Sequence, residues 1–115
     1  MSIQDNSINY IEFPAIDMEK TKQFYSAAFG WTFIDYGPTY ASFSGAGVDG
    51  GFTLDSKASG SIGVLVVLYH HELEKAELKV QEHGCEVVKP IFSFPGGRRF
   101  HFVDPNGNEV AVWAE

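Results

Sequence analysis

The alternation of apolar and polar residues divides the first half of the chain into a strand, a helix and three further strands. Residues 8–13 alternate between the two classes, which predicts a strand. Apolar side chains then recur at helical spacing over residues 18–29, with Asp17 as the predicted N-cap and Gly30 as the residue that ends the helix. Three more strands are predicted at residues 31–36, 40–44 and 52–54.

The same order of elements returns in the second half, after a small polar segment. An apolar run rich in β-branched residues predicts a strand at 62–68, and an amphipathic helix follows at 72–83. Three strands are then predicted at residues 86–88, 98–103 and 109–113. The helix positions Met18 and Leu73 lie about 55 residues apart, which indicates two repeated modules. The alternative is a coincidence between two ordinary helix starts.

Composition and charge limit the partners that the protein can have. The chain has 115 residues, a length typical of one domain, and we expect a single domain over residues 1–115. It carries 15 acidic and 8 basic residues, for a net charge of −7. Binding to nucleic acid or to an anionic membrane requires a basic surface, so neither partner is expected.

Cysteine use and the apolar runs indicate the compartment. The chain has one cysteine, Cys85, so it cannot form an internal disulfide, and this composition suits a reducing environment. The first seven residues are polar and lack the apolar core of a signal peptide. The apolar run at 62–69 is far shorter than the ~20 residues that a transmembrane helix needs. We therefore expect a cytoplasmic protein.

Short motifs spread over nearly the whole chain occur together in a fixed order. They are Ile11-Glu12-Phe13-Pro14, Asp17-Met18, Phe24-Tyr25, Phe29-Gly30-Trp31, Val48-Asp49-Gly50-Gly51, Lys89-Pro90 and Phe102-Val103-Asp104-Pro105-Asn106-Gly107-Asn108-Glu109. In this order the chain resembles the vicinal oxygen chelate superfamily, also called the glyoxalase/bleomycin-resistance/dioxygenase group, and above all its small bacterial glyoxalase-related proteins. The resemblance implies an α+β fold of two βαβββ modules, at 7–55 and 61–114, whose mixed and antiparallel sheets curl into a cup. It also implies a homodimer.

The resemblance also implies positions for a divalent metal, on the first and last strands of each module. Carried over by position, these are Tyr10, Leu65, Ala111 and the segment 50–52. None of them is His, Asp, Glu or Gln, the side chains that hold such ions. We therefore predict no metal and no other cofactor, and a divalent metal could bind only through atypical ligands such as His101 with Glu12 or Glu109.

Strand alternation selects the side chains that would line the cup. Tyr10 and Glu12 share one face of the first strand. With residues 104–108 as a hairpin turn, Val103 lies opposite Glu109, His101 opposite Ala111, and Arg99 opposite Trp113. The candidates for one concave surface are Tyr10, Glu12, Arg99, His101, Glu109 and Trp113, with Tyr40 as a further stacking residue.

Each candidate has a functional and a structural interpretation. His101 beside Glu109 or Glu12 suits acid/base chemistry, and the Arg99 guanidinium suits an anionic or carbonyl oxygen. Tyr10, Tyr40 and Trp113 suit stacking on a planar ligand. In the structural interpretations, His101 only forms a hydrogen bond across the hairpin, and Glu109 forms an ion pair with Arg99 or a lysine. Glu12 would form a structural bond at the edge of the cup. Tyr10 would fill the space left by the missing metal ligand, and Trp113 would be a dimer contact.

Three functions follow from these interpretations. The first is a metal-independent protein that binds a small molecule in the cup. The alternative is a glyoxalase-like lyase or isomerase that uses His101 and a carboxylate as acid and base on a carbonyl-bearing substrate. The third is a structural dimer whose cup is filled by its own aromatic side chains.

Overall fold

The structure is a computed structural model that describes Asp5 and residues 10–55 and 64–115. These residues form two compact units, one on each side of the segment 56–63. We refer to them as unit one and unit two and describe each by itself.

Each unit contains one strand, one helix and three further strands. Unit one has β1 (Tyr10–Pro14), α1 (Met18–Phe29), β2 (Thr32–Asp35), β3 (Tyr40–Ser44) and β4 (Asp49–Thr53). Unit two has β5 (Val66–Tyr69), α2 (Leu73–Glu82), β6 (Glu86–Phe94), β7 (Gly97–Val103) and β8 (Glu109–Ala114).

The two sheets have the same topology. Their strand orders are β1-β4-β3-β2 and β5-β8-β7-β6. In each sheet the first strand is parallel to the last strand of the unit, and the remaining pairs are antiparallel. The predicted α+β class with two βαβββ arrangements is therefore confirmed, and so is the repeated order of elements.

β4 and β6 extend well beyond their predicted boundaries. β4 begins at Asp49 rather than at residue 52, and β6 continues to Phe94 although it was predicted to end at residue 88. Pro90 lies inside β6, which is an edge strand whose pairing shifts register between Lys89 and Phe92. A proline is tolerated at such an edge because its missing N–H interrupts no central ladder. The predicted beginning of the first strand and residues 62 and 63 of the strand predicted at 62–68 lie outside the described residues. Val64 and Leu65 are described and lie outside β5, so the strand prediction is wrong for these two residues.

α1 covers one face of the first sheet with an aromatic core. Asp17 caps the helix by accepting a hydrogen bond of 3.0 Å from the Lys20 backbone N–H, and Gly30 ends it in the left-handed conformation with φ of 76°. The helix buries Phe24 and Tyr25. The ring centroids of Tyr25 and Trp31 are 4.6 Å apart.

The helix-covered faces determine which side chains occupy the opposite faces. Phe13, Ala41 and Phe52 are buried in unit one, so alternation places Tyr10, Glu12 and Tyr40 on the other side of the sheet. We call this side the helix-free face of sheet one.

In unit two, Phe100, Phe102, Val110 and Val112 are completely or almost completely buried, and α2 buries Leu73, Ala76 and Val80. Arg99, His101, Glu109 and Trp113 therefore lie on the helix-free face of sheet two.

No helix among the described residues is long and apolar enough to cross a membrane.

Candidate functional site

A network of two tyrosines and a glutamate occupies the helix-free face of sheet one. The hydroxyl oxygens of Tyr10 and Tyr40 are 2.6 Å apart. The Glu12 carboxylate lies beside Tyr40 on the same face. Burial raises the pKa of Tyr40, and its interactions with Tyr10 and Glu12 raise it further. Tyr40 therefore keeps its proton throughout the physiological pH range.

Either hydroxyl can donate in the hydrogen bond between Tyr10 and Tyr40. In both arrangements the Tyr10 oxygen keeps a lone pair that can accept a hydrogen bond from a further donor.

Gly51 leaves the space that the Tyr40 ring occupies. A Cβ atom at residue 51 would overlap with the ring and hydroxyl of Tyr40. Gly51 lies opposite Glu12 in the β1–β4 pair, as Ala111 lies opposite Val67 in the β5–β8 pair. The side chain of Tyr40 thus fills the space beside one of the positions that the resemblance implied for a metal ligand.

A cleft opens on sheet one beside this network. Its volume is about 460 Å³, and it is lined by Tyr10, Tyr36, Ser42, Phe43, Ser44, Asp49 and Gly50. Hydroxyl groups, aromatic rings and one carboxylate therefore meet at its surface. No lysine or arginine is among these lining residues.

The hairpin of sheet two brings His101 and Glu109 together. The predicted register is confirmed, because Val103 pairs with Glu109, His101 with Ala111 and Arg99 with Trp113. His101 Nδ1 lies 2.8 Å from a carboxylate oxygen of Glu109, and the two side chains are 3% and 13% exposed. Glu109 thus pairs with His101, rather than with Arg99 or a lysine.

This pairing determines what His101 can do. Nδ1 donates to the ionised carboxylate, so the neutral ring carries its proton on Nδ1 and presents Nε2 as a base. Glu109 holds the ring in this orientation and stabilises the imidazolium when Nε2 takes up a proton.

Arg99 lies between two aromatic rings on the same face. Its guanidinium carbon is 5.4 Å from the centroid of Phe92 and 5.5 Å from that of Phe94. The Phe92 ring also lies 5.8 Å from the His101 ring. Among the residues that the structure describes, Arg99 Nε and His101 Nε2 are both buried and without a hydrogen-bond partner.

Phe92 and Phe94 did not emerge from the sequence as site residues. They lie beyond the predicted end of β6, so they had no strand position from which a face could be assigned. The alternation of Phe92, Ser93 and Phe94 was the available signal. Trp113 lies next to this group, with its ring 6.4 Å from Phe94 and 5.2 Å from Tyr69.

The predicted site residues thus form two groups. In unit one, Tyr10 is hydrogen-bonded to Tyr40, and Glu12 lies beside Tyr40. In unit two, His101 contacts Glu109, and Arg99 and Trp113 lie on the same face. That the two groups share one concave surface stays a prediction.

The family model of the glyoxalase/bleomycin resistance protein/dioxygenase superfamily matches residues 7–112 of this sequence. The chain belongs to this superfamily. No curated protein matches the sequence.

Solved structures share the superfamily fold at low sequence identity. A glyoxalase-related enzyme from Fulvimarina pelagi is 17% identical, with a TM-score of 0.80 over 96% of this chain and 88% of that chain. The fosfomycin resistance protein FosX from Mesorhizobium loti is 11% identical, with a TM-score of 0.78 over 98% and 94% of the two chains. A lactoylglutathione lyase from Agrobacterium tumefaciens is 17% identical, with a TM-score of 0.73 over 95% and 93%.

The residues of this superfamily member do not fit a divalent metal at the implied positions. Ala111, Gly51 and Leu65 have no oxygen or nitrogen in their side chains, and the hydroxyl of Tyr10 is bonded to that of Tyr40. Within the described part of each unit, no three His, Cys, Asp or Glu side chains come together as a ligand set.

The raised pKa of Tyr40 predicts a loss of stability at alkaline pH. A tyrosine in the unfolded chain has a pKa of about 10, so folding favours the protonated form of Tyr40. This contribution is fully present below about pH 10 and is lost as the pH rises above that value. We expect the free energy of unfolding of the wild type to fall towards that of Tyr40→Phe between pH 10 and 11.

Urea unfolding at pH 8, 9, 10, 10.5 and 11 checks this expectation. At pH 8, Tyr40→Phe should be less stable by about 1 kcal/mol because it loses its hydrogen bonds. Tyr36→Phe, at an exposed position of the same unit, is the control and should keep the wild-type pH profile. If the free energies of unfolding of the wild type and of Tyr40→Phe change in parallel from pH 8 to 11, the pKa of Tyr40 is not raised by folding.

Proposed function

We propose that this protein is a metal-independent binding protein for a small molecule that carries an oxygen acceptor on a flat apolar body. The observation that carries the proposal is the pair of unpartnered buried nitrogens, Arg99 Nε and His101 Nε2, on the helix-free face of sheet two. The wall of aromatic rings beside them supports it.

The two nitrogens require a partner that the described residues do not supply. A buried polar group without a hydrogen bond costs about 1–3 kcal/mol, and buried polar groups in proteins are almost always paired. Arg99 and His101 are two residues apart on β7, so their Cα atoms are separated by about 7 Å on one face. A carboxylate of one ligand can accept from Arg99 Nε and, in the imidazolium form of His101 that Glu109 stabilises, also from His101 Nε2.

The surroundings of Arg99 favour an anionic planar ligand. Arg99 supplies a positive charge in a chain whose net charge is −7. Phe92 and Phe94 hold its guanidinium by cation–π contacts, and Trp113 extends the apolar surface. Because both nitrogens are buried, a ligand reaches His101 only when a neighbouring side chain shifts.

The superfamily context agrees with a small-molecule ligand. Two of the structural relatives are named for small molecules, fosfomycin and lactoylglutathione. The lack of suitable metal ligands at Ala111 and Gly51 supports binding without a metal. The third function, a structural dimer with a filled cup, stays an alternative. The homodimer and the cytoplasmic location stay predictions.

Benzoate is a suitable probe because it combines a carboxylate with a planar ring. We expect the wild type to bind benzoate in calorimetry with EDTA present, and Arg99→Met or His101→Gln to weaken the affinity at least about tenfold, as expected for the loss of a charged hydrogen bond. The matched control is Arg98→Met. Arg98 neighbours Arg99 on β7 but pairs with Glu74 of α2, with a nitrogen–oxygen distance of 2.6 Å.

Two results would reject the proposal. One is the absence of benzoate binding at millimolar concentration to protein that is folded by circular dichroism. The other is an equal loss of affinity in Arg98→Met and Arg99→Met, which would show only a general effect of net charge. Binding that disappears with EDTA would reject the metal-independent form of the proposal.

A second candidate function, a lyase or isomerase, is favoured by the His101–Glu109 pair. Nε2 of an imidazole oriented by a carboxylate can take a proton from a carbon next to a carbonyl group. Arg99 would stabilise the negative charge that develops on the carbonyl oxygen. The proton then returns from the imidazolium to carbon, so the step needs no oxidant and no reductant.

Hydrogen exchange of phenylpyruvate separates this enzyme from a binding protein. Its carboxylate and ring suit the face with Arg99, and its benzylic C–H lies next to a carbonyl. An enzyme should speed the incorporation of deuterium from D₂O, as followed by NMR, and His101→Gln should return the rate to that of buffer. If phenylpyruvate takes up deuterium no faster with the wild-type protein than in buffer alone, the lyase or isomerase function is wrong and the binding proposal stands.

A further inference from the structure

We infer that the cleft on sheet one is a second binding site, selective for an organic ammonium group with N–H donors. It lies in unit one and uses none of the residues of the proposed anion site. Its volume of about 460 Å³ is within the range of small-molecule pockets, ~300–1,000 Å³. Four features of its lining determine the ligand class.

The first feature is the pair of hydroxyl groups of Tyr10 and Tyr40, whose oxygens are 2.6 Å apart. Whichever of the two donates, the Tyr10 oxygen keeps a lone pair. Tyr10 lines the cleft, so an N–H donor of a ligand can bond to this oxygen there.

The second feature is the carboxylate of Asp49. Tyr10 and Asp49 are partners in the parallel β1–β4 pair, which places their backbones about 4.8 Å apart. Asp49 is exposed, and within the described residues no ion pair involves it. A negative charge thus lies beside the Tyr10 acceptor without a cation of the chain to neutralise it.

The third feature is the aromatic surface at the cleft. Tyr10 is 46% and Tyr36 63% exposed, although large aromatic side chains are mostly buried. Ring faces attract cations through their quadrupole, and an alkyl or aryl group on the same ligand would cover the apolar surface. An ammonium ion on a hydrophobic body satisfies both requirements.

The fourth feature is the absence of positive charge among the lining residues. An anion would meet Asp49 with no compensating lysine or arginine in the cleft. A neutral alcohol could donate a hydrogen bond to Tyr10 or to Asp49 but would lack the Coulomb attraction between an ammonium ion and the carboxylate. Ser42 and Ser44 can accept further N–H donors from the same ammonium group.

Three probes of one shape test the inference on the full chain. Benzylammonium, benzyl alcohol and benzoate share a ring and differ in charge. With ¹⁵N-labelled protein, we expect benzylammonium to shift the amide signals of Tyr10, Ser44 and Asp49. Benzyl alcohol should bind at least about tenfold more weakly because the charged hydrogen bond is missing. Benzoate should leave these three signals unchanged.

Asp49→Asn tests the charge at the cleft, because it keeps the shape of the side chain. We expect it to weaken benzylammonium binding at least about tenfold. Glu82→Gln, at an exposed position at the end of α2, changes the net charge equally and should bind as the wild type does. Arg99→Met should also keep full benzylammonium affinity, which separates this inference from the proposed function.

The inference is overturned by any of three results. These are no localised shifts with benzylammonium at millimolar concentration, equal affinity for benzyl alcohol and benzylammonium, and equal losses in Asp49→Asn and Glu82→Gln. Tyr10→Phe adds a second test, because it removes the acceptor oxygen and keeps the ring. We expect this variant to retain the fold and to lose part of the affinity for benzylammonium.

Discussion

The packing of one helix against one face of each sheet is the constraint on which both sites depend. Side chains alternate across a strand, so burying Phe13 and Phe52 under α1 leaves Tyr10 and Tyr40 on the other face. In unit two, the buried Phe100 and Phe102 in the same way place His101 on the helix-free face. A shift of one residue in either register would bury the polar groups against the helix, at a cost that the fold could not tolerate.

The sequence predicted those parts of the site that local signals determine. The Asp104-Pro105-Asn106-Gly107-Asn108 turn fixes the hairpin register. Counting residues away from this turn along both strands therefore gave the positions of Arg99, His101 and Glu109. The tyrosine network was not predictable in this way, because β4 separates β1 from β3 and Gly51 admits the Tyr40 ring. The contribution of β6 was missed because Pro90 and the register shifts obscure the alternation.

The helix-free faces of the two sheets differ in the ligand chemistry that they suit. Sheet one presents phenol oxygens and the Asp49 carboxylate, which attract donors and positive charge. Sheet two presents the Arg99 guanidinium and the His101–Glu109 pair, which in its imidazolium form donates to an oxygen acceptor as Arg99 does. Aromatic rings accompany both groups, so each site combines an apolar surface with a few polar atoms, as ligand sites commonly do.

We propose that Arg99 Nε and His101 Nε2 bind the oxygens of one ligand. A crystal structure of the protein soaked with benzoate tests this proposal. We expect benzoate oxygens within ~3.2 Å of Arg99 Nε and His101 Nε2, with the ring against Phe92 or Phe94. The proposal is contradicted if other side chains of the protein bond both nitrogens, or if benzoate binds elsewhere while this face stays closed.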